Sequence, residues 1–403
     1  MEDVSKLVAR QYDAFAYPQP ADDLDQLVAR GSIYRGDPSL YGPILWPQGR
    51  PPGRLRILIA GCGTIQAAYA AYMNRADEVV GVDLSETSLG HERFLQERHG
   101  LDNLKLYRGD LLEIAELGAH FDVIICSGVL HHMADPAAGL SALRDVLVPN
   151  GVMVLMVYGQ AARVGVYMLQ DVFRRLGLQP DGDGIGKVRS VLAELPQNHC
   201  AQPYIQLAKE LEHDTALVDT FLHPQDRAYT VPQVFDLLKS TDLEFQNWLD
   251  SAEYWRNLTW GSDSAVAALV DPLPLNDHWA IVELLRQGAA MHTFTARHKG
   301  AKPSGAVDFA NPEWKGFTPH RSPDLVKLAP GQYQRRAYFL RCAPVEEFII
   351  DNIDGELTIG QILSLPEFSR TSSDEIESGG RAIFEHQWKL GNIMIALPQS
   401  ERD

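Results

Sequence analysis

Four short clusters in the first third of the chain combine residue types that could together hold a nucleoside and act on a molecule beside it. Gly61-Cys62-Gly63 follows the apolar run at 56–60 (RILIA). Glycines there let the backbone approach a ligand closely, and the start of a following helix offers N–H groups to an anionic end such as a carboxylate. Asp83 lies about twenty residues on, at the end of a second apolar run, where a carboxylate can accept hydrogen bonds from both hydroxyls of a ribose. Gly109-Asp110 ends a third run. Its acid can accept from an exocyclic amine, or cap the segment that starts at Leu111; the two roles are compatible. The fourth cluster, Ser127-Gly128, leads to the adjacent His131 and His132. Imidazole is the natural candidate to take a proton from a bound reactant. A metal ion on this pair is not expected, because adjacent residues rarely converge on one ion and the sequence offers no evident third ligand.

Each cluster needs an element to aim it. Residues 56–60, 79–83, 104–107, 121–126 and 152–158 read as strands, near-continuous apolar runs that suit parallel strands buried on both faces. Helices are expected between them at 66–74, from the cap Ser85 to about His99, and at 140–147, stopped by Pro149 and Gly151. Ligands should then lie at the carboxyl ends of the strands of an α/β, doubly wound sheet. The stretch 160–229 is mostly helical in pattern and reads as an insertion. Thr230-Val231-Pro232 resembles a helix start, 243–248 a sixth strand, 252–287 helix, and 290–297 a seventh strand of antiparallel type. Upstream, 1–30 is helical with Val4, Leu7, Val8, Tyr12 and Phe15 at helix spacing, broken at Tyr17-Pro18-Gln19-Pro20.

Composition bounds the partners. The formal charge of −17, from 36 basic and 53 acidic residues, disfavours a nucleic-acid substrate, which is met by basic surface. Cys62, Cys126, Cys200 and Cys342 form no CxxC pair and suggest neither a zinc site nor a disulfide framework. Met1-Glu2-Asp3 is the wrong start for a secretory segment and no apolar run approaches a membrane span, so the expected compartment is the cytoplasm, without membrane contact.

The order and spacing of Gly61-Cys62-Gly63, Asp83, Gly109-Asp110, the segment 121–136 (FDVIICSGVLHHMADP) and 143–151 (LRDVLVPNG) resemble the core of class I S-adenosylmethionine-dependent methyltransferases of the methyltransferase type 11/12 kind, with an LHH loop and an L-x-P-x-G turn. The resemblance implies a Rossmann-like seven-stranded sheet, S-adenosyl-L-methionine as cofactor and S-adenosyl-L-homocysteine as product. It implies that Gly61, Cys62 and Gly63 lie against the methionine part, Asp83 holds the ribose, Leu84 and Leu111 sandwich the adenine, Asp110 bonds its amine, and Ser127 and Gly128 flank the methyl-donor end. His131 and His132 are the catalytic candidates. Two positions depart from the pattern: Ile59 stands where an acidic residue is frequent, and Ile65 where a dinucleotide fingerprint has its third glycine. Segments such as 12–18 fold over the cofactor in that family, which makes Tyr12 and Tyr17 candidates for a lid. Tyr158, Tyr167, His223, Arg227 and Tyr229 are candidates for the acceptor pocket, with 223–227 on its rim.

The expected organisation is an N-terminal lid at 1–54, a methyltransferase domain at 55–298 with its insertion at 160–229, a linker at 299–332 and a small α+β domain at 333–403. Through Asp354-Gly355-Glu356-Leu357-Thr358-Ile359 this tail resembles the winged-helix modules of peptide-recognising proteins, which implies binding of a peptide, or self-association, at an exposed strand edge. Two functions follow: transfer of a methyl group to a small-molecule or protein acceptor, or a regulatory protein that binds S-adenosylmethionine without turnover.

Overall fold

The structure, a computed structural model, describes residues 4–301, 307–336, 338–369 and 372–398. The chain forms two compact units, one from Met1–Arg30, Arg54–Phe245 and Glu283–Gly300, the other from Gly31–Gly53, Gln246–Val282 and Ala301–Asp403.

A seven-stranded sheet runs through β1 (Arg56–Ala60), β2 (Glu78–Asp83), β3 (Leu104–Arg108), β4 (Phe121–Ser127), β5 (Leu147–Tyr158), β6 (Leu243–Trp248) and β7 (Met291–His298), in the order β3-β2-β1-β4-β5-β7-β6. β1 pairs in parallel with β2 on one side (Ile57 opposite Val79) and with β4 on the other (Ile57 opposite Val123). β5 continues in parallel beside β4, whereas β7 is antiparallel to β5 (Val154 opposite Thr295). Ile57, Leu58, Ile59 and Ala60 are fully buried, as are Val123 and Ile124, which is why these strands read as apolar runs without alternation. Strand order reverses between β1 and β4. The loops after those two strands therefore splay apart at the carboxyl edge and open a crevice there.

Helices Gln66–Met73, Glu86–His99 and Pro136–Asp145 cover the sheet. Ser85 caps the second by accepting from Ser88 N, and Gly100 ends it in the left-handed region at φ 56°. The insertion is helical, with Gln160–Arg175, Gly182–Glu194, Gln202–Leu207 and Asp214–Phe221 packed on Val166, Leu169, Phe173, Val188 and Val218. Thr230 and Gln233 close a capping box on the helix Val231–Ser240. The N-terminal helices are Val4–Ala14 and Leu24–Ala29, separated at the tyrosine-proline break. Among the described residues no helix is long and apolar enough to cross a membrane.

The second unit redraws two expected boundaries. Residues 31–53 were expected with the lid, and 246–282 with the methyltransferase domain. Gln246 instead donates to Ile44 O (2.6 Å), Leu397 N to Pro47 O (2.6 Å), and Arg35 pairs with Asp250 (3.1 Å). Trp248 stacks on Tyr254 at 3.8 Å between centroids, and Trp255 lies 6.0 Å from Trp388. The stretch expected as a linker is structured over 307–332. It carries β8 (Thr318–Arg321) and β9 (Leu325–Ala329) and buries Phe309, Trp314 and Phe317. β9 joins β10 (Gln332–Arg335) and β11 (Tyr338–Arg341) in an antiparallel sheet, while β12 (Ile393–Ala396) pairs with β8. Ala337 lies outside the described residues. Helices Pro344–Asp351, Ile359–Ile362 and Arg381–Lys389 pack Ile349, Ile359, Ile362 and Phe384 against Ile393 and Ile395.

Candidate functional site

The crevice between β1 and β4 brings the four sequence clusters together. After β1 the chain turns through Gly61 (φ 77°) and Gly63 (φ 57°), a backbone that side chains rarely adopt. A Cβ on Gly61 would sit 2.2 Å from Val129 Cγ2, and one on Gly63 2.8 Å from Tyr17 O. The glycines thus let the loop after β4 and the 17–18 turn close onto the first loop. Gly61 N and Cys62 N both donate to Val82 O, so this loop is tied to the end of β2. Asp83 completes the tie: its two oxygens accept from Gly63 N and Ser85 N, each at 2.8 Å. Burial raises the Asp83 carboxyl above its ordinary value, against the backbone N–H groups that pull it down.

The helix start at Gln66 does not present all the free N–H groups expected of it. Glu92, from the buried face of the next helix, accepts from Ala67 N (2.9 Å) and Ala68 N (2.7 Å). Burial pushes its carboxyl up to about 8, against those two donors. The sequence reading missed Glu92; its signal was an acid on the same helix face as Ser88, Leu89 and Leu95. It supplies a buried carboxyl beneath the glycine loop, where Ile59 has none to offer. Cys62 is buried next to it, and its thiol is pushed up well above the ordinary value by burial.

On the far side, Asp110 caps the turn Leu111–Leu117 by accepting from Leu112 N at 3.0 Å, and Leu111 is buried. Leu84 is half-buried at the end of β2, with its carbonyl accepting from Arg108 Nε. Ser127 and Gly128 (φ 81°) are half-buried at the end of β4. The N-terminal segment folds over these loops: Ser85 Oγ donates to Asp13 Oδ1 (2.8 Å) and Thr64 Oγ1 to Pro18 O (2.7 Å).

Beyond Gly128 lies a buried cluster of rings and charges. The short turn Leu130–His132 places His131 against Tyr158 (3.9 Å, stacked) and His132 against His223 (3.8 Å, stacked). Tyr158 and Tyr12 donate to opposite oxygens of Asp219, at 3.0 and 2.8 Å. Arg163 lies over the Tyr158 ring at 3.7 Å, donates to Tyr204 Oη (2.8 Å) and pairs with Asp226 (3.5 Å). Asp226 also accepts from Gln170 (2.8 Å) and Tyr167 (3.3 Å). A cavity of about 420 Å³ beside the cluster is lined by Tyr17, Pro18, Lys209, Glu210, His213 and Thr215, among others.

The polarity of the two stacked histidines follows from the backbone of one residue, Gln225. His132 Nδ1 is 2.8 Å from Gln225 O, which can only accept, so that nitrogen carries the proton and Nε2 keeps its lone pair. His223 Nδ1 accepts from Gln225 N at 3.1 Å, so in the neutral ring Nε2 carries the proton. Burial holds His223 and His131 well below the ordinary imidazole range, so both rings stay neutral. His131 is fully buried, and neither of its ring nitrogens finds a hydrogen-bond partner among the described residues.

Of the remaining expected residues, Tyr167 joins the cluster, Tyr229 is buried beside His292, which contacts its carbonyl, and Arg227 is exposed. The third metal ligand that the sequence did not show is present. Asp226 stands with His131 and His132, and Asp219 with His132 and His223, each set within 4.8 Å. In the second set His223 Nδ1 accepts from Gln225 N–H and Nε2 then carries the proton, so the neutral ring has no free lone pair to offer. Arg163 and Asp219 were not singled out in the sequence, whereas Gln225 falls in the segment 223–227 expected on the rim of the acceptor pocket.

The comparisons with known proteins fit this geometry. A family model described as a methyltransferase domain matches residues 53–200, from just before β1 to within the insertion. The protein syc1184_c of Synechococcus sp. is 29% identical over 294 residues, 70% of this chain and 69% of that protein. A ubiquinone biosynthesis O-methyltransferase of Ruegeria pomeroyi is 38% identical over 107 residues, and the match spans 26% of this chain and 42% of that enzyme's length. PKMT2 from Rickettsia typhi, solved in complex with AdoHcy, shares the fold at a TM-score of 0.64 and 15% identity, over 90% of this chain and 76% of that one. The matched domain covers the glycine loop, Asp83 and the histidine turn on a sheet of this order, so the chain carries a class I S-adenosylmethionine-dependent methyltransferase domain.

Proposed function

We propose that the chain methylates a hydroxyl oxygen, with the cofactor held across the β1–β4 crevice and the acceptor in the ring cluster beyond Gly128. The glycines let the loop after β4 and the 17–18 turn close onto the first loop, where a Cβ would meet Val129 or Tyr17, and the cofactor lies along the backbone so formed. Each Asp83 oxygen spends one lone pair on a backbone N–H and keeps the other for a ribose hydroxyl. Leu84 and Leu111 flank the adenine, Asp110 accepts from its amine while capping its turn, and Cys62, Ser127 and Gly128 border the methionine end. Bound there, S-adenosylmethionine supplies a sulfonium methyl that is already activated, the S–C electron pair returning to sulfur as the new bond forms.

The protein's part is to align the acceptor, exclude water and take one proton. His132 is the base. The observation that carries this is its Nδ1–H on Gln225 O, which leaves the Nε2 lone pair among Tyr158, Asp219 and His223. Once protonated, the ring keeps its bond to that carbonyl. His131, buried behind Tyr158 and kept neutral, is a wall of the site. The partial likeness to an O-methyltransferase supports oxygen as the acceptor atom.

The test is transfer of a labelled methyl group from S-adenosylmethionine to panels of alcohols and phenols, amines, and thiols. Methylated hydroxyl product is expected, and His132→Asn should lower kcat by about 10²- to 10⁴-fold with S-adenosylhomocysteine affinity unchanged. Methylation confined to amines, or a fully active His132→Asn, would overturn the reading.

A further inference from the structure

Resting on the assignment of His132 as base, we propose that His223 is a positioning residue, holding a second oxygen of the acceptor through its Nε2–H. The substrate class is then a hydroxyl compound with an oxygen two or three bonds from the hydroxyl that is methylated.

Three observations combine. The backbone of Gln225 faces both rings, giving its carbonyl to His132 Nδ1 and its N–H, from the preceding peptide group, to His223 Nδ1. Neutral rings held this way must be opposite tautomers, so the far edges of the stacked pair present one lone pair and one N–H. The rings are 3.8 Å apart, and each brings a nitrogen within 4.8 Å of the other. Hydrogen bonds of about 2.8 Å from two such nitrogens reach two oxygens of one small molecule. His223 Nε2 is buried and finds no partner among the described residues. A buried N–H left unsatisfied is costly, and an acceptor oxygen satisfies it.

The neighbours leave this polarity intact. Both Asp219 oxygens are occupied by Tyr12 and Tyr158, and Asp226 is occupied by Gln170, Tyr167 and Arg163. His223 Nε2 makes no hydrogen bond to either carboxylate, and an ammonium acceptor would meet the N–H of His223 with the wrong sign. Sequence gives no hint of this device, since it depends on a backbone peptide from the insertion.

The experiment is NMR of the full chain with nitrogen-15 histidine, saturated with S-adenosylhomocysteine at about pH 8, above the ordinary imidazole range. His132→Asn and His223→Gln assign the signals. The expected result is a proton on Nδ1 of His132 and on Nε2 of His223. Glycolate, a hydroxyl next to a carboxylate oxygen, should shift both far nitrogens together, whereas ethanol should shift His132 alone. Equal or reversed tautomers overturn the proposal, as does a glycolate titration that leaves His223 unmoved. So does tight one-to-one zinc binding that His223→Gln abolishes, because it needs the lone pair that the proton occupies. If hydroxyl transfer fails while tautomers and glycolate shifts come out as expected, His132 loses its role as base and the two-oxygen site stands.

Discussion

Asp83 does two jobs that a single substitution can separate. In the structure its oxygens accept from Gly63 N and Ser85 N at 2.8 Å each, so it ties the loop after β1 to the helix start after β2. In the proposed complex it also accepts from two ribose hydroxyls. Asparagine keeps the shape but has one oxygen, so one of the two backbone N–H groups would face an NH2. Leaving such a donor unsatisfied costs about 1–3 kcal/mol of stability. The ribose loses a charged acceptor and gains at best one neutral bond, a loss of about 2–4 kcal/mol when a hydrogen bond to a charged group is worth about 1.5–3. At 1.4 kcal/mol per decade this weakens binding by roughly 30- to 1,000-fold. Calorimetry with S-adenosylhomocysteine and thermal unfolding measure the two effects on one sample. Ser85→Ala is the control. It removes the bond to Asp13 and the cap on Ser88 N, costing about 1 kcal/mol, but leaves its own N–H on Asp83. Its Tm should fall with little change in affinity. A folded Asp83→Asn that binds as tightly as wild type would refute the ribose contact and leave Asp83 as a loop tie alone.

The remaining predictions concern buried charge. The Glu92 carboxyl, pushed up to about 8 by burial beside Cys62 and Asp83, keeps a proton that the unfolded chain releases near 4.5. Stability should therefore decline as pH rises from about 4.5 to about 8, by up to about 1.4 kcal/mol per unit, and level off above. Denaturant titration at pH 5, 6.5 and 8 should show this slope in wild type, and no loss of slope in Glu92→Gln would sink the assignment. In the second unit, Asp324 accepts from Arg335 (2.9 Å) and Arg336 (2.5 Å), and Arg335 is buried. Asp324→Ala should cost about 3 kcal/mol, because it strands buried cations, and a loss under about 1 kcal/mol would mean that Asp250 alone carries both arginines.

What was legible in the sequence is what backbone pattern dictates. Apolar runs such as 56–60 and 121–126 are strands because both faces of the sheet are covered, and β7 reads as antiparallel because its residues alternate. The glycines and Asp83 were legible because their roles belong to strand ends whose order is set by the fold. The boundaries of the second unit were not. Gln246 binds Ile44 O, and Leu397 binds Pro47 O, pairings between segments some 200 and 350 residues apart, and no local pattern in 31–53 announces them. Glu92 was hidden for a different reason. An acid in a helix is most often solvated, and only the two N–H groups of Ala67 and Ala68 explain its burial. His131 and His132 were singled out by type and place, but which of them is proposed as the base depends on the backbone of Gln225, which no sequence pattern shows.

Asp219 joins the lid, the sheet and the insertion at one point. It arrives on the helix Asp214–Phe221 of the insertion and takes one hydroxyl from Tyr12 of the N-terminal helix and one from Tyr158 at the end of β5. Burial raises both phenols well above their ordinary value, with Asp219 adding to the shift, so both remain hydroxyl donors at neutral pH. Tyr12 adjoins Asp13, which accepts from Ser85 at the helix start after β2, and Tyr158 is the ring on which His131 stacks. The same carboxylate therefore fixes the N-terminal segment over the loop after β1 and one wall of the proposed acceptor site. In a methyltransferase this coupling is chemically apt: the acceptor should be held only where the methyl donor is already enclosed, since a site closed to water protects the alignment on which transfer depends. On the proposed function, acceptor choice then resides in the insertion, which contributes Arg163, Asp219, His223 and Gln225, while the Rossmann-like core holds the cofactor and carries the base.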